Sequence, residues 1–511
     1  LRVPTIILFG LAAFVLIGAS AAPANGPEGA DVPPPPAREF RGLWVATVNN
    51  SDWPSSKGLS TAQQQQELLN IFDRAVGMRL NAIIFQVRPC CDALYQSSLE
   101  PWSEFLTGQM GRAPSPFYDP LAFAVAEAHK RGLELHAWFN PFRARTADPK
   151  AFASSNHITH THPELVRDYG KLRWLDPGEK ATREHVLKVI MDVVNRYDID
   201  GVHFDDYFYP YPEKVAGRDL EFPDDASWKA FRRHDGKLSR SEWRRENIDI
   251  LVHSVYDAIK EAKPWVKFGI SPFGIWRKGY PPQITGLDAY ESLFSDSRRW
   301  FASGWVDYLS PQLYWPIDQK AQAFGALLQW WSGQNARERH LWPGMKVNGW
   351  PGVRSNPSEE AVREVEMVRQ RPGASGEILW HAAPLIHDPA LCGKFTSRLY
   401  SAPALVPASP WLGDEHPGKP ALKAESQNGK LAIQWKTETG VVWQWLVREK
   451  VGDHWVIEIL PYDVSSLAFD QKERPRIFTV CAVNRLGNLG PVATFEPGSH
   501  AADAHHLSSA P

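Results

Sequence analysis

The chain predicts a (β/α)8 barrel followed by a small all-β sandwich. Three observations lead there. Strand-like apolar runs recur at even spacing from residue 40 to residue 385, helix-period segments separate them, and past residue 400 the pattern changes to short alternating strands. Alternating strand and helix imply right-handed βαβ units and a parallel sheet, and eight repeats imply closure rather than an open doubly wound sheet. No GxGxxG or GxxxxGKS/T loop follows the first strand, which argues against a nucleotide fold.

In chain order, Arg2, the apolar run Ile6–Ile17 and the small residues Gly18–Ala22 predict an export signal over residues 1–22, too short for a membrane span. No Cys follows it, so a lipid anchor is not expected. Residues 23–37, with Pro33–Pro36, predict a stiff extended linker. The barrel is predicted over residues 38–400. Its strands are Phe40–Val48, Asn81–Pro89, Leu133–Pro141, Ile199–Phe208, Val266–Ile275, Val306–Trp315, Leu341–Asn348 and Gly376–Pro384. Helical periodicity marks Gln63–Met78, Pro120–Lys130, Arg183–Arg196, Arg244–Ala262 and Glu359–Gln370. Pro403, Pro407, Pro410 and Pro417 predict a second linker over 401–418. Strands at Lys430–Lys436, Val441–Lys450, His454–Ile459 and Arg476–Val483 predict a sandwich over 419–496, and residues 497–511 read as a disordered tail.

Composition narrows the function. A formal net charge of -2 with a pI near 6.8 gives no footprint for nucleic acid or an anionic membrane. After loss of the signal no stable membrane insertion is expected, an uncleaved anchor being the lesser alternative, and a monomer is the default. Cys90, Cys91, Cys392 and Cys481 have neither a disulfide framework nor zinc spacing, so buried thiols are expected. The 22 Trp are many for this length; core packing is their ordinary role, and a ligand pocket would also use their flat apolar faces.

The most informative segment is Ile199-Asp-Gly-Val-His-Phe-Asp-Asp-Tyr-Phe-Tyr-Pro210, a short apolar run that ends in two adjacent carboxylates before a Tyr/Pro loop. A buried parallel strand delivers acid/base groups from its carboxyl end in this way. Side-chain alternation sets Val202 and Phe204 toward the helices and Gly201, His203 and Asp205 toward the lumen. The same test selects Gln86, Arg88, His136, Trp138, Asn140, Ser271, Gln312, Tyr314, Lys346, Asn348 and His381, with Tyr207 and Trp315 beside them. Polar groups gathered at one end of a barrel would be costly to bury unpaired, and a binding pocket accounts for them.

Two neighbouring acids push each other's pKa apart and so supply a protonated and an ionised carboxyl at one pH, as glycoside hydrolysis requires. Asp205 and Asp206 are therefore the expected catalytic pair, both brought to one cavity because Phe208–Pro212 forces a turn. A metal site is the first rival, from His203 with Asp205, His136, His381 and the His157/His160/His162 loop, but the ligand spacing is irregular, and neither metal nor cofactor is expected. A deacetylase would need that metal, and a triad on Ser271 lacks its GxSxG elbow. The second reading is a glycan-binding barrel without turnover.

Arg41-Gly-Leu-Trp-Val-Ala-Thr47, Phe85-Gln-Val-Arg-Pro89, Leu135-His-Ala-Trp-Phe-Asn-Pro141, Trp174-Leu-Asp-Pro-Gly178, Asp200–Pro210, Ile270-Ser-Pro-Phe-Gly274 and Leu309-Ser-Pro-Gln-Leu-Tyr-Trp315 resemble the glycosyl-hydrolase-like family ten of bacterial envelope proteins. The resemblance covers about residues 38–390, departing at Asp176, where Asn is often seen. It implies a (β/α)8 barrel and cleavage of peptidoglycan glycan strands stripped of stem peptides. It also implies a secreted or periplasmic protein and a catalytic role for Asp205 and Asp206. For a 2-acetamido sugar polymer, Asp206 would protonate the leaving oxygen while Asp205 orients the attacking acetamide, and a two-carboxylate route would draw on Glu100, Glu213, Glu291 or Asp318. Ile477–Asn484 with Gly487 and Gly490 resembles the closing strands of a fibronectin type III sandwich, with Phe478 where a tyrosine is common.

Overall fold

The structure, a computed structural model, describes residues 31–146, 152–349, 357–427 and 429–497. The expected export signal, the first part of the Pro-rich linker and the tail beyond Pro497 lie outside the described residues.

Parallel strands run in chain order as β1 (Phe40–Val45), β2 (Ala82–Arg88), β3 (Glu134–Phe139), β4 (Gly201–Phe204), β5 (Lys267–Ile270), β6 (Tyr308–Leu309), β7 (His340–Leu341 and Gly344–Lys346) and β8 (Gly376–Trp380). The ring closes because β8 pairs with β1, Gly376 opposite Phe40, while the two pieces of β7 pair with β6 and β8. Pro343 splits β7, since it has no N–H to give the ladder. The ladder resumes at once, with Gly344 N donating to Pro311 O at 2.9 Å and Ile378 N to Pro343 O at 3.1 Å. Between the strands run α1 (Thr61–Gly77), α2 (Pro120–His129), α3 (Lys180–Arg196), α4 (Arg240–Ala262), α5 (Ser297–Ser303), α6 (Phe324–Ser332) and α7 (Pro357–Arg369). Ser60 with Gln63 and Ser239 with Glu242 form capping boxes that fix where α1 and α4 begin.

Strand alternation separates two cores. Leu43, Ile83, Phe85, Leu135, Val202, Phe268, Leu309, Met345 and Leu379 point outward and pack on the helices. Phe40, Trp44, Ala82, Ile84, Trp138, Tyr308, Trp342 and Ile378 fill the lumen. Rings this large fit only because neighbouring strands supply glycine: a Cβ on Gly269 would lie 2.0 Å from the Tyr308 ring, and one on Gly201 2.4 Å from that of His136.

A hydrogen-bond chain follows the barrel axis. Lys267 pairs with Glu134 at 2.8 Å, and Glu134 accepts from His136 Nε2 at 3.0 Å. His136 Nδ1 meets Tyr308 Oη at 2.8 Å, which meets His203 Nδ1 at 3.0 Å. Trp44 Nε1 lies 3.3 Å from His203 Nε2. An indole N–H can only donate, so His203 carries its proton on Nδ1 and Tyr308 donates to His136. Burial, with His136 beside it, pushes the His203 pKa well down and keeps it neutral.

The C-terminal strands β9 (Ala421–Gln427), β10 (Lys430–Lys436), β11 (Gln444–Val451), β12 (His454–Pro461), β13 (Ser466–Asp470), β14 (Ile477–Val483) and β15 (Ala493–Phe495) form two antiparallel sheets, ordered β9-β10-β13 and β12-β11-β14-β15. They face each other across Leu431, Ile433, Trp435, Trp445, Val447, Phe478 and Val480. This sandwich docks on the barrel's amino-terminal floor. Gln444 Nε2 donates to Gly132 O at 2.7 Å, Arg485 pairs with Asp198, and Trp443 sets a T-shaped contact on His129 at 4.6 Å. The segment expected as a plain linker wedges between them: Trp411 Nε1 donates to Asp307 at 2.8 Å, and Ala404–Leu405 pairs with Ala37–Arg38. The carboxyl ends of the strands stay clear of it. Among the described residues no helix is long and apolar enough to cross a membrane.

Candidate active site

Asp205 and Asp206 close β4 at the barrel's carboxyl end. Asp205 keeps the lumen parity of Gly201 and His203. Beyond it the chain turns, with Tyr207 N donating to Asp205 Oδ1 at 3.2 Å and Phe208 N to Asp206 O at 3.1 Å. The turn brings the second acid into the interior as well, and the two are only 3% and 4% exposed.

Their surroundings differ. Asp205 also accepts from Trp138 Nε1 at 3.1 Å and Asn140 Nδ2 at 2.9 Å, with the Arg143 guanidinium nearby. Arg143 N donates to Asn140 Oδ1 at 2.8 Å, which turns the amide's NH2 toward the carboxylate. Burial still nudges Asp205 upward, against those stabilising partners. Asp206 accepts from Tyr211 Oη and from the Gln312 amide, and burial together with the charge of Asp205 raises it to about 6. The first proton to leave the pair is therefore that of Asp205, which has the Arg143 cation beside it, and its charge then raises Asp206. The two carboxyls are thus unlike, and Asp206 keeps its proton up to about pH 6.

Aromatic side chains wall the mouth. Trp380 stands 5.8 Å from Trp44, 6.2 Å from Trp138 and 6.2 Å from Tyr314, ring to ring. Across from them Tyr207, Tyr211, Phe273 and Trp315 continue edge to face at 5.4, 6.3 and 5.5 Å. Trp44 and Trp138 are buried, while the half-buried Trp380, Trp315, Tyr207, Tyr211 and Tyr314 can offer apolar faces to a flat ring and O–H or N–H groups at their edges.

The structure sorts the other residues expected to bind substrate. Gln312, Tyr314, Tyr207, Trp138 and Asn140 gather at the acids; Trp315 joins the far wall. Arg88 does not. It is fully buried, bidentate to Glu100 at 2.7 and 2.5 Å, and donates to the carbonyls of Asn140 and Pro141, so it holds two strand ends together rather than meeting a ligand. His136, His203 and Ser271 are likewise interior, spent on the axial chain, with Ser271 Oγ 2.9 Å from His203 Nε2. Gln86 is buried and its Oε1 accepts from Thr47 N and Val48 N, both at 2.9 Å, pinning the loop after β1. On β8 the lumen phase belongs to Ile378 and Trp380, so His381 falls outside it and bonds Asp52 Oδ1 at 2.5 Å through Nδ1. Lys346 is half-buried at the rim and Asn348 is exposed.

Of the alternative acids, Glu100 is locked: burial would raise it, but Arg88 and His185 outweigh that and hold it down to about 2. Glu291 pairs with Arg245 and Arg277, and Asp318 is exposed. Glu213 is half-buried, its backbone N–H bonded to Tyr169 Oη at 3.1 Å. Tyr211, Arg143, Trp44 and Trp380 are site residues that the strand alternation did not single out. Tyr211 was visible in the Tyr/Pro loop and Trp380 in the β8 run, but only the turn and the register bring them to the acids. His157 is buried against Cys90 O at 3.1 Å and burial depresses it to about 4, while the cysteines are free, buried thiols.

A family model for "Glycosyl hydrolase-like 10" matches residues 39–356. Glycosyl hydrolase YngK of Bacillus subtilis (strain 168) is 42% identical over 408 residues, 77% of this chain and 78% of that protein. Glycosyl hydrolase DigH of Escherichia coli (strain K12) is 36% identical over 337 residues, 60% of this chain and 74% of that protein. Among solved structures, the glycoside hydrolase domain of PgaB (BpsB) from Bordetella bronchiseptica aligns with 72% of this chain and 100% of that chain, at 11% identity and a TM-score of 0.47.

Proposed function

The chain belongs to the glycosyl hydrolase-like 10 family, and on that premise we propose that it hydrolyses glycan strands of a 2-acetamido sugar polymer, peptidoglycan stripped of its stem peptides, in the cell envelope. The observation that carries this reading is the unlike pair at the end of β4: Asp205 accepting from Trp138, Asn140 and the Tyr207 N–H, and Asp206 raised to about 6 beside it.

Asp206, protonated, donates to the glycosidic oxygen as the C1–O bond breaks. The substrate's own acetamide carbonyl attacks C1, and Asp205 accepts from the acetamide N–H and balances the positive charge that builds there. Water then opens the cyclic intermediate, giving its proton back to Asp206. Side-by-side acids suit this substrate-assisted route, because the ordinary one needs a second carboxyl roughly 5–9 Å across the sugar, and Glu100 is sequestered by Arg88. The aromatic walls hold the ring faces on either side.

The test is product release from amidase-treated peptidoglycan by the wild type and by Asp205→Asn and Asp206→Asn, with mass spectrometry to name the new reducing end. Loss of product in both variants, insensitive to chelator, supports the reading. Binding without turnover by the wild type would leave a glycan-binding barrel instead, and undiminished release by both variants would remove these acids from the reaction.

A further inference from the structure

The mouth of the barrel holds a cation that the acid pair does not use. In β7, Met345 and Val347 are 0% and 1% exposed and pack into the outer core. Gly344 faces the lumen, where an added Cβ would lie 2.8 Å from the Trp44 ring. Alternation therefore sets Lys346 on the same lumen side as Gly344, and register places it directly opposite Trp380. Trp380 contacts Trp138, whose indole donates to Asp205. One indole thus separates the Lys346 position from the catalytic wall. Among the described residues no carboxylate pairs with Lys346, although it is half-buried. The cation beside Asp205 is Arg143, which is itself committed to Pro89 O.

A half-buried lysine with no carboxylate beside it suits a ligand that brings an anion. A 2-acetamido glycan has no charge on its acetamides or hydroxyls. In the peptidoglycan strand one anionic group exists once the peptides are gone: the carboxylate of the lactyl ether. When a stem peptide is attached, that carbon is a neutral amide with bulk behind it. We propose that Lys346 is a specificity-determining residue that pairs with the lactyl carboxylate one subsite from the cleaved bond, and that it selects strands free of peptide. This deepens the functional reading above and rests on it. The discrimination has both parts that specificity needs, an ion pair for the right strand and an unpaired ammonium against the wrong one.

Two substrates differ only at the reporting group: amidase-treated strands with free lactyl carboxylates, and the same strands with those carboxylates coupled to methylamine. The wild type is expected to cleave the free strands with a kcat/KM about five- to tenfold higher, mostly through KM, as for a partly desolvated ion pair. Lys346→Met and Lys346→Gln should lose that preference, and Lys346→Arg should keep most of it. A packing role alone would not move the ratio between the two strands. A preference unchanged in both neutral variants, or no preference in the wild type, overturns the assignment while leaving the hydrolase reading intact. A wild type that cleaves neither strand overturns both.

Discussion

Removing one hydroxyl should shift the pH dependence of the enzyme in a direction set by the site. Tyr211 donates to Asp206, and its bond favours the ionised carboxyl. In Tyr211→Phe that support is lost while the burial and the Asp205 charge that raise Asp206 remain. Hydrogen bonds to charged groups contribute about 1.5–3 kcal/mol, and one pKa unit corresponds to about 1.4 kcal/mol. The Asp206 pKa should thus rise from about 6 by roughly one unit or somewhat more. With protonated Asp206 as the proposed acid, rate falls as pH rises through its pKa. At pH 7 the protonated share climbs from about one-tenth to about one-half. The acid plateau should drop, because a weaker acid transfers its proton less readily. Relative to that plateau, the variant's kcat at pH 7 should be about fivefold higher than the wild type's. Initial rates of reducing-end release across pH 4.5 to 8.5 read this directly. A descending limb that stays put, or moves to lower pH, refutes the assignment of Asp206 as the proton donor held by Tyr211.

The same shift has a stability consequence. Asp206 is harder to ionise folded than unfolded, so stability is lost between about pH 4 and pH 6 and the penalty persists above; Asp206→Asn should stabilise by up to about 3 kcal/mol at pH 7.5 and by nothing at pH 4, read as denaturant midpoints at the two pH values. Equal effects at both would count against a raised pKa. Arg88→Met should destabilise by about 3–5 kcal/mol because Glu100 is left charged and buried; Arg88→Met with Glu100→Gln should recover much of the loss in equilibrium unfolding, and a double variant as weak as the single one would refute the charge argument.

Much of the site was legible because a strand has a period of two. Val202 and Phe204 against His203 and Asp205 divide the outer core from the lumen as the alternation requires. Where the reading failed, a local rule had been asked a global question. Alternation says which face Arg88 and His136 occupy but not whether another strand has already supplied their partners; Glu100 comes from a loop and Tyr308 from a distant strand. His381 was assigned to the lumen by counting on through β8, yet the strand ends at Trp380. Pro343 announces an interruption in β7, but the neighbouring ladders that carry the pairing across it are not written in that segment.

By itself the sequence determined the strand-and-helix alternation, the sandwich that follows and the adjacency of Asp205 and Asp206, because periodicity and covalent neighbourhood are local properties. Only the tertiary structure decided that these acids become unequal. Trp138 and Asn140 reach Asp205 from one strand, while Tyr211 and Gln312 reach Asp206 from a turn and from another strand. It also decided that the sandwich lies under the barrel floor, away from the chemistry. A carboxyl's proton affinity depends on its desolvation and on donors contributed from far along the chain, and those exist only once the ring has closed.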